Sequence, residues 1–88
     1  MYTLGIRESV DRIFHKLAKK NPKQMLAVEK KIKQTLADPY HFKPLRAPMQ
    51  HLRRVHVGSF VFVYSIDEKN KIVTIEDYAH HDEVYLGK

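Results

Sequence analysis

The stretch LRRVHVGSFVFVYSID, from Leu52 to Asp67, is the most informative part of this sequence about its fold. Two runs rich in β-branched and aromatic residues flank Gly58-Ser59, which predicts two strands joined by a short turn. In the first strand Arg54 and His56 lie two positions apart, so their side chains project from the same face of the sheet. This pairs a fixed cation with a side chain that titrates near neutrality. On a basic protein, such a pair indicates a site for a phosphodiester.

The N-terminal segments predict one strand and two helices. Residues alternate in polarity from Tyr2 to Ile6, the pattern of a short strand. The apolar spacing then changes to i, i+3, i+4, i+7, which predicts a helix from about Glu8 or Ser9 to Lys19 that ends at Asn21-Pro22. Pro22 is well placed to begin a second helix, and Asp38-Pro39 ends that helix.

The remaining segments predict a loop and three strands. Three of the four prolines lie between Pro39 and Gln50, so this segment is expected to be a surface loop. Strands are expected at about Leu52–Val57, Phe60–Ile66 and Lys71–Tyr78. The fold class is therefore α+β, in the order β-α-α-β-β-β. We expect one domain over residues 1–88, with a mostly antiparallel four-stranded sheet and the helical hairpin packed on one face. The other face is expected to stay open for a site.

The formal net charge of +6 is unevenly distributed along the chain. Basic residues dominate both predicted helices and the loop, whereas the C-terminal third contains an acidic set: Asp67, Glu68, Glu76, Asp77, Asp82 and Glu83. Such a dipolar field favours oriented docking on a polyanion. Lysines that merely solvate the helix surfaces would give the same pattern.

Composition excludes several classes of protein. The chain has no cysteine, which removes disulfides and thiolate metal sites. No apolar run approaches the roughly 20 residues that span a membrane, and MYTLGIRESV lacks the apolar region of a signal peptide. We therefore expect a cytoplasmic protein without a membrane partner. No nucleophile motif, paired-carboxylate site or nucleotide fingerprint occurs, and no cofactor is predicted.

The C-terminal sequence HHDEVY contains a second group of reactive side chains. His80 and His81 stand beside Asp82, but neighbouring residues in an extended segment point apart, so we predict no metal site. A solvated tail is the simpler alternative. Tyr85 can stack on a base or hydrogen-bond a phosphate, or it can anchor the C-terminus in the core. Phe60 has the same two interpretations, as a stacking platform or as packing.

Cleavage of RNA needs a base near the 2′-hydroxyl, a cation near the scissile phosphate and an acid near the leaving oxygen. Histidine, arginine and tyrosine can each fill such a role, so Arg54 and His56 are candidates. Without a metal, attack by the neighbouring 2′-hydroxyl is the natural route. The alternative is that Arg54 is an ordinary surface ion-pair partner and His56 a polar strand residue.

Taken together, these segments resemble toxins of the RelE/ParE superfamily, small ribosome-dependent mRNA endonucleases and their relatives encoded beside an antitoxin. The resemblance covers nearly the whole chain, and its specific segments are KPLR at Lys43–Arg46, RRVHVGSFVFVY at Arg53–Tyr64 and HHDEVY at His80–Tyr85. A strand histidine paired with a histidine four residues before a terminal aromatic looks most like the YafQ branch.

The resemblance implies a site, a reaction and a set of partners. The catalytic residues that it implies are His56, His81, Tyr85 and Arg54, and the RNA-binding residues are Lys43, Arg46, Arg53, Phe60 and His80. It implies metal-independent mRNA cleavage through 2′-hydroxyl attack, with the base and acid roles of the two histidines left open. The implied partners are a cognate antitoxin, the ribosome with its mRNA, and operator DNA through the antitoxin only.

Three departures from the family pattern keep two alternatives open. Many members have arginine where this chain has Val61, and the YafQ pattern has an acidic residue near Ser59 and an arginine near Asp77. A degenerate protein that keeps the fold and binds RNA or antitoxin without turnover would fit Val61 and Asp77. A ParE-like inhibitor of DNA gyrase is the other alternative, against which the histidines of the predicted site argue.

Overall fold

The computed structural model describes residues 1–86, with side chains over residues 1–83. Its elements follow the chain in the order β1 (Thr3–Ile6), α1 (Glu8–Lys20), α2 (Pro22–Ala37), β2 (Leu52–Val57), β3 (Phe60–Asp67), β4 (Ile72–His80) and α3 (His81–Leu86). The first six elements confirm the predicted β-α-α-β-β-β order. The short helix α3 was not predicted.

The four strands form one sheet in the order β1-β4-β3-β2. The edge strand β1 runs parallel to β4, and the other two pairs are antiparallel, which confirms a mostly antiparallel sheet. On the opposite edge, the loop before β2 lies along that strand, since the Arg54 N–H donates to the Lys43 carbonyl at 3.3 Å and the Leu45 N–H to the Leu52 carbonyl at 2.9 Å. The loop therefore occupies hydrogen-bonding groups that an edge strand would otherwise expose.

The helices α1 and α2 form a hairpin that covers one face of the sheet. Asn21 caps α2, because its side chain accepts a hydrogen bond from the Gln24 N–H at 3.1 Å, and Pro22 occupies the first turn. The buried core lies between hairpin and sheet and comprises Val10, Phe14, Val28, Ile32, Val55, Val57, Phe62, Tyr64, Val73, Ile75 and Tyr78. Burial of each large apolar side chain contributes on the order of 1.5–3 kcal/mol.

Two side chains tie the hairpin and the loop to the sheet. The Gln24 Nε2 of α2 donates to the Val57 carbonyl at 3.0 Å and to the Tyr78 hydroxyl at 3.1 Å. The Tyr64 hydroxyl donates to the Pro39 carbonyl at 2.5 Å, and both residues are fully buried. These bonds satisfy polar groups that burial would otherwise leave unpaired.

Strand β4 reaches two residues beyond its predicted end at Tyr78. It contains a bulge opposite Val63 and Tyr64, and beyond the bulge it stays paired with β3 as far as the pair of Phe60 with His80. This longer strand turns the first histidine of HHDEVY into a strand residue, so the alternative of a solvated tail is wrong for His80. Within residues 1–86, no helix combines the length and apolar character needed to cross a membrane.

Candidate nucleic-acid interface

The turn between β2 and β3 holds the start of α3. The Ser59 carbonyl accepts a hydrogen bond from the backbone N–H of His81 at 3.1 Å and lies 3.1 Å from its Nδ1. A carbonyl oxygen can only accept, so Nδ1 is the donor in the second contact. The imidazole of His81 is therefore anchored to a residue 22 positions earlier in the chain.

The other ring nitrogen of His81 faces a carboxylate. Its Nε2 lies 3.1 Å from Asp82 Oδ1, and the His81 side chain is about half exposed. Since both ring nitrogens meet acceptors, only the doubly protonated imidazolium donates at both. This arrangement suits a side chain that delivers a proton.

His80 lies against both His81 and Phe60. The two imidazole centroids are 4.4 Å apart, and the His80 ring meets the Phe60 ring edge-on at 5.6 Å. His80 Nδ1 accepts a hydrogen bond from the Asp82 N–H at 3.3 Å. The expectation that the neighbouring histidines point apart is wrong here, because β4 ends at His80 and α3 begins at His81, so the segment is not extended across them.

The sheet face away from the helical hairpin presents two parallel rows of side chains. In the strand register, one row runs from Arg54 through Val63 to Asp77. The other row runs from His56 through Val61 to Ala79. His56 is exposed and Arg54 is partly exposed, so the structure brings them to one face as predicted from their spacing.

This second face is not open along its whole length, however. Val61 is 0% and Val63 4% exposed, although neither belongs to the core beneath the helical hairpin. The terminal helix α3 contacts both β3 and β4. The prediction of an open face therefore holds at β2, where His56 lies, and is wrong for β3, where Val61 and Val63 are buried.

Arg53 lies on the face opposite to Arg54, where it binds the loop. Its guanidinium donates to the carbonyl of Phe42 at 2.6 Å and of Tyr40 at 3.4 Å, and lies 5.1 Å from the centroid of the Tyr40 ring. The alternation of side chains along a strand separates Arg53 from its neighbour. The neighbouring arginines Arg53 and Arg54 thus lie on opposite faces of the sheet.

The remaining predicted site residues differ in how exposed their side chains are. Lys43 and Arg46 are exposed on the loop beside β2. Phe60 is 36% exposed, but one side of its ring stacks on Tyr78 at 5.2 Å with an interplanar angle of 7°, so it packs and remains accessible at once. The backbone of Tyr85 belongs to α3, whereas its side chain lies outside the described residues.

Sequence reasoning missed two contributors to this site. Asp82 stood beside the histidines but was given no role, and the Ser59 carbonyl is a backbone group that no side-chain pattern reveals. The acidic first turn of α3, with Asp82 and Glu83, is a helix signal that was available in the sequence. Six residues are too few for apolar periodicity to indicate a helix.

The architecture is that of RelE-like toxins. The toxin–antitoxin complex RelBE2 of Mycobacterium tuberculosis contains a chain that matches this one with a TM-score of 0.75 and 26% identity, covering 90% of each chain. The family model described as the ParE toxin of type II toxin–antitoxin systems, parDE, matches residues 1–85. The chain belongs to this toxin family, within the RelE/ParE superfamily that its sequence resembles.

Two relatives extend the same similarity over nearly the whole chain. "Putative toxin RelE4" of Methanocaldococcus jannaschii is 42% identical over 89 residues, covering 100% of this chain and 95% of that protein. An uncharacterized protein of Methanosarcina mazei is 51% identical over 86 residues, covering 97% of this chain and 100% of that protein. The protein is thus a toxin of a toxin–antitoxin system with a RelE-like fold.

Proposed function

We propose that this toxin is a ribosome-dependent mRNA endonuclease that inhibits translation. The observation that carries the proposal is the anchoring of His81 by the Ser59 carbonyl, at the end of the sheet where His56 is exposed. His56 and Ala79 occupy one row across three strands, so their backbones are roughly 10 Å apart, two strand spacings. His81 follows Ala79 by two residues at this end of the sheet, and we propose that the scissile phosphodiester lies between the two imidazoles.

The proposed reaction needs no metal. The 2′-hydroxyl of the upstream ribose attacks the adjacent phosphorus while His56 accepts its proton. The bond to the 5′-oxygen of the downstream nucleotide breaks, and His81 donates a proton to that oxygen. A cyclic 2′,3′-phosphate remains on the upstream fragment. We assign the acid role to His81 because both of its ring nitrogens face acceptors.

Arg54 and Tyr85 complete the proposed catalytic group. Arg54 shares the face of His56 one row away, where a guanidinium can stabilise charge on the phosphate oxygens. Tyr85 follows His81 by one helical turn in α3, and we propose that it orients the RNA.

The proposed RNA-binding surface extends from this centre along the β2 edge. Lys43 and Arg46 are exposed there and supply phosphate contacts, while the exposed parts of the Phe60 and His80 rings offer surfaces for base stacking. We give Arg53 a supporting role, because its bonds hold the loop that carries Lys43.

The proposed partners are the ribosome, its mRNA and a cognate antitoxin, which places the toxin in the cytoplasm. Membership in a type II toxin–antitoxin family supports the antitoxin, and the mycobacterial relative was solved in a toxin–antitoxin complex. We propose that the antitoxin covers the basic face of the toxin and that the complex binds operator DNA through the antitoxin.

The proposal is tested by mapping mRNA ends by primer extension in a translating extract. Wild-type protein should produce cuts within codons at the ribosomal A site, and both His81→Ala and His56→Ala should abolish them. The matched control is His15→Ala, since exposed His15 in α1 also pairs with a carboxylate, with Nδ1 3.5 Å from Asp11 Oδ2, but lies away from the sheet. Intact mRNA with folded wild-type protein, or cuts that persist in His81→Ala, contradicts the proposal.

A second candidate function is inhibition of DNA gyrase, which the match to the ParE family model favours. A gyrase inhibitor needs no acid–base pair, so its effect on DNA supercoiling should survive His56→Ala and His81→Ala. A supercoiling assay with purified gyrase, run on the same variants as the primer extension, separates the two functions.

A third candidate is a toxin fold that binds RNA or antitoxin without cleaving. Asp77 favours it, because this exposed carboxylate shares a row with Arg54 on the face proposed to bind phosphate. A negative charge there opposes the charge of the transition state. Binding of mRNA without cuts, together with cleavage gained in Asp77→Arg, would identify this case.

A further inference from the structure

We propose that His80, His81 and Asp82 bind a Zn²⁺ ion and that the bound ion blocks RNA cleavage by this toxin. The binding part stands on the geometry of the three side chains alone. The inhibitory part rests on the proposed function, in which His81 delivers a proton to the leaving oxygen.

The three side chains already converge at spacings that suit one small ion. Each offers one ligand atom, and these atoms all lie within 4.8 Å of one another. The distance from His81 Nε2 to Asp82 Oδ1 is 3.1 Å, and that from His80 Nδ1 to Asp82 Oδ2 is 3.7 Å. Ligand bonds of 2.0–2.2 Å in a tetrahedral zinc site separate the ligand atoms by roughly 3.3–3.5 Å. The two measured distances bracket this separation through different oxygens of Asp82, and rotation of the side chains must close the remaining separation of up to 4.8 Å between the ligand atoms.

The surroundings of His81 resemble those of a metal-bound histidine. A ligating imidazole almost always donates its other ring N–H to a carbonyl or carboxylate, which fixes the tautomer and the direction of the free nitrogen. His81 makes this contact, with Nδ1 3.1 Å from the Ser59 carbonyl. Its Nε2 is thereby aimed at Asp82. The Ser59 carbonyl is not one of the three proposed ligands, and its bond to His81 directs the free ring nitrogen toward the proposed ion position.

His80 needs little rearrangement to take part. Its ring is held edge-on against Phe60 at 5.6 Å, which limits its rotation. Its Nδ1 accepts the Asp82 N–H at 3.3 Å, at the long end of the range for such a bond. A metal bond would replace this weak contact. The cost of forming the site is correspondingly small.

The donor set selects a borderline divalent ion. Two imidazoles and one carboxylate are ligands that Zn²⁺ favours, and three protein ligands leave a fourth position for water. Mg²⁺ prefers an all-oxygen shell and should not compete. The surface pair of His15 and Asp11 offers two ligands of the same types, and no third histidine, cysteine or acidic ligand joins them among the described residues.

Coordination removes His81 from the proposed reaction. When Nε2 binds the ion, its lone pair is occupied and it holds no proton to donate to RNA. The ion takes the place of the proton between Nε2 and Asp82, and that proton passes to solvent. Zinc binding and RNA cleavage by one molecule are therefore mutually exclusive.

The binding part is tested by calorimetric titration of the full chain with Zn²⁺ alone, in the absence of RNA. Wild-type protein should bind one equivalent, and His80→Ala and Asp82→Asn should each weaken binding at least about tenfold. His15→Ala should bind like the wild type, and Mg²⁺ should give no competing heat. Circular dichroism confirms that each variant is folded. Equal Zn²⁺ affinity in the wild type, His80→Ala and Asp82→Asn would contradict the proposed zinc site.

The inhibitory part is tested by primer extension with and without Zn²⁺, each variant being compared with itself. Zn²⁺ at saturation should abolish wild-type cuts and leave the residual cuts of His80→Ala unchanged. Undiminished wild-type cleavage at saturating Zn²⁺ overturns inhibition. A chain that binds Zn²⁺ but cuts no mRNA in a zinc-free extract confirms the site and contradicts the proposed function, so the two failures are distinguishable.

Discussion

The carbonyl oxygen of Ser59 lies 3.1 Å from the backbone nitrogen of His81 and 3.1 Å from its Nδ1. One carbonyl in the β2–β3 turn thus orients both the main chain and the imidazole at the start of α3. The position of His81 depends on the shape of this turn, and a change in the turn should be felt at the imidazole.

Gly58 provides the first prediction, because it adopts a φ of +65° in that turn. An added Cβ would meet only Gln24 Oε1, at an ordinary contact distance of 3.8 Å, so the cost of Gly58→Ala is in the backbone. The left-handed conformation should cost Ala about 1–2 kcal/mol of unfolding free energy. Gly58→Asn should cost less, since Asn tolerates this region. Urea unfolding measures both, and equal stabilities of the two variants would contradict the argument.

Replacement of the two neighbouring arginines should have different effects on stability and on RNA binding. Arg53→Ala removes the bonds to the Phe42 and Tyr40 carbonyls and should lower the unfolding free energy by about 1.5–3 kcal/mol. Arg54→Ala should affect stability less but weaken RNA binding and reduce the slope of log affinity against log salt by roughly one. Urea unfolding and RNA titrations at several salt concentrations test the pair. A larger loss of RNA affinity in Arg53→Ala would reverse the assignment.

We expect the buried phenol of Tyr64 to make the protein less stable at alkaline pH. Its burial raises the pKa of the phenol from 10.0 to about 12, so the folded state keeps the proton longer than the unfolded state. The stabilisation is complete below pH 10 and is lost as the pH rises through 12. It corresponds to on the order of 2–3 kcal/mol. Unfolding at pH 8 to 12 should give a shallower decline for Tyr64→Phe than for the wild type; parallel declines would exclude Tyr64 as the cause.

The same variant should be less stable at neutral pH as well. Tyr64→Phe removes the hydroxyl that donates to the Pro39 carbonyl at 2.5 Å and leaves that buried acceptor unpaired. The expected cost is about 1–3 kcal/mol in unfolding free energy. The wild-type value in the same urea titration is the reference, and no loss at pH 7 would mean that water replaces the hydroxyl.

We expect the carboxylate of Glu68 to make the stability of the fold sensitive to acid. Hydrogen bonds from the Lys71 ammonium and from the Tyr40 and Tyr2 hydroxyls lower the pKa of this carboxyl from 4.5 to about 2. Its stabilisation is therefore present above pH 4.5 and is lost as the pH falls toward 2. The group is exposed, so solvent and salt reduce the effect.

Glu68→Gln should flatten the decline of the melting temperature between pH 5 and pH 2. Glu29→Gln is the matched control, because Glu29 is an exposed carboxylate on α2. An identical acid profile in wild type and Glu68→Gln would mean that the contacts of Glu68 contribute nothing to stability.

The amino-acid pattern alone predicts the first six elements and their order. The helical period of 3.6 residues and the composition of the strands are local properties of the sequence. They therefore located α1, α2, β2 and β3 to within one residue at each end. The spacing of Arg54 and His56 placed them on one face for the same reason. Pro22 marked the start of α2, because proline suits the first turn of a helix.

Which side chains meet depends instead on how the elements pack together. Strand register, a bulge in β4 and the strand-to-helix junction at His80 and His81 bring the two imidazoles to 4.4 Å and place His81 against Ser59. The division of Arg53 from Arg54 and the burial of Val61 have the same origin. These arrangements join residues far apart in sequence, and periodicity carries no information about such distant contacts. Secondary structure follows local spacing, whereas the candidate site follows from how the elements are packed.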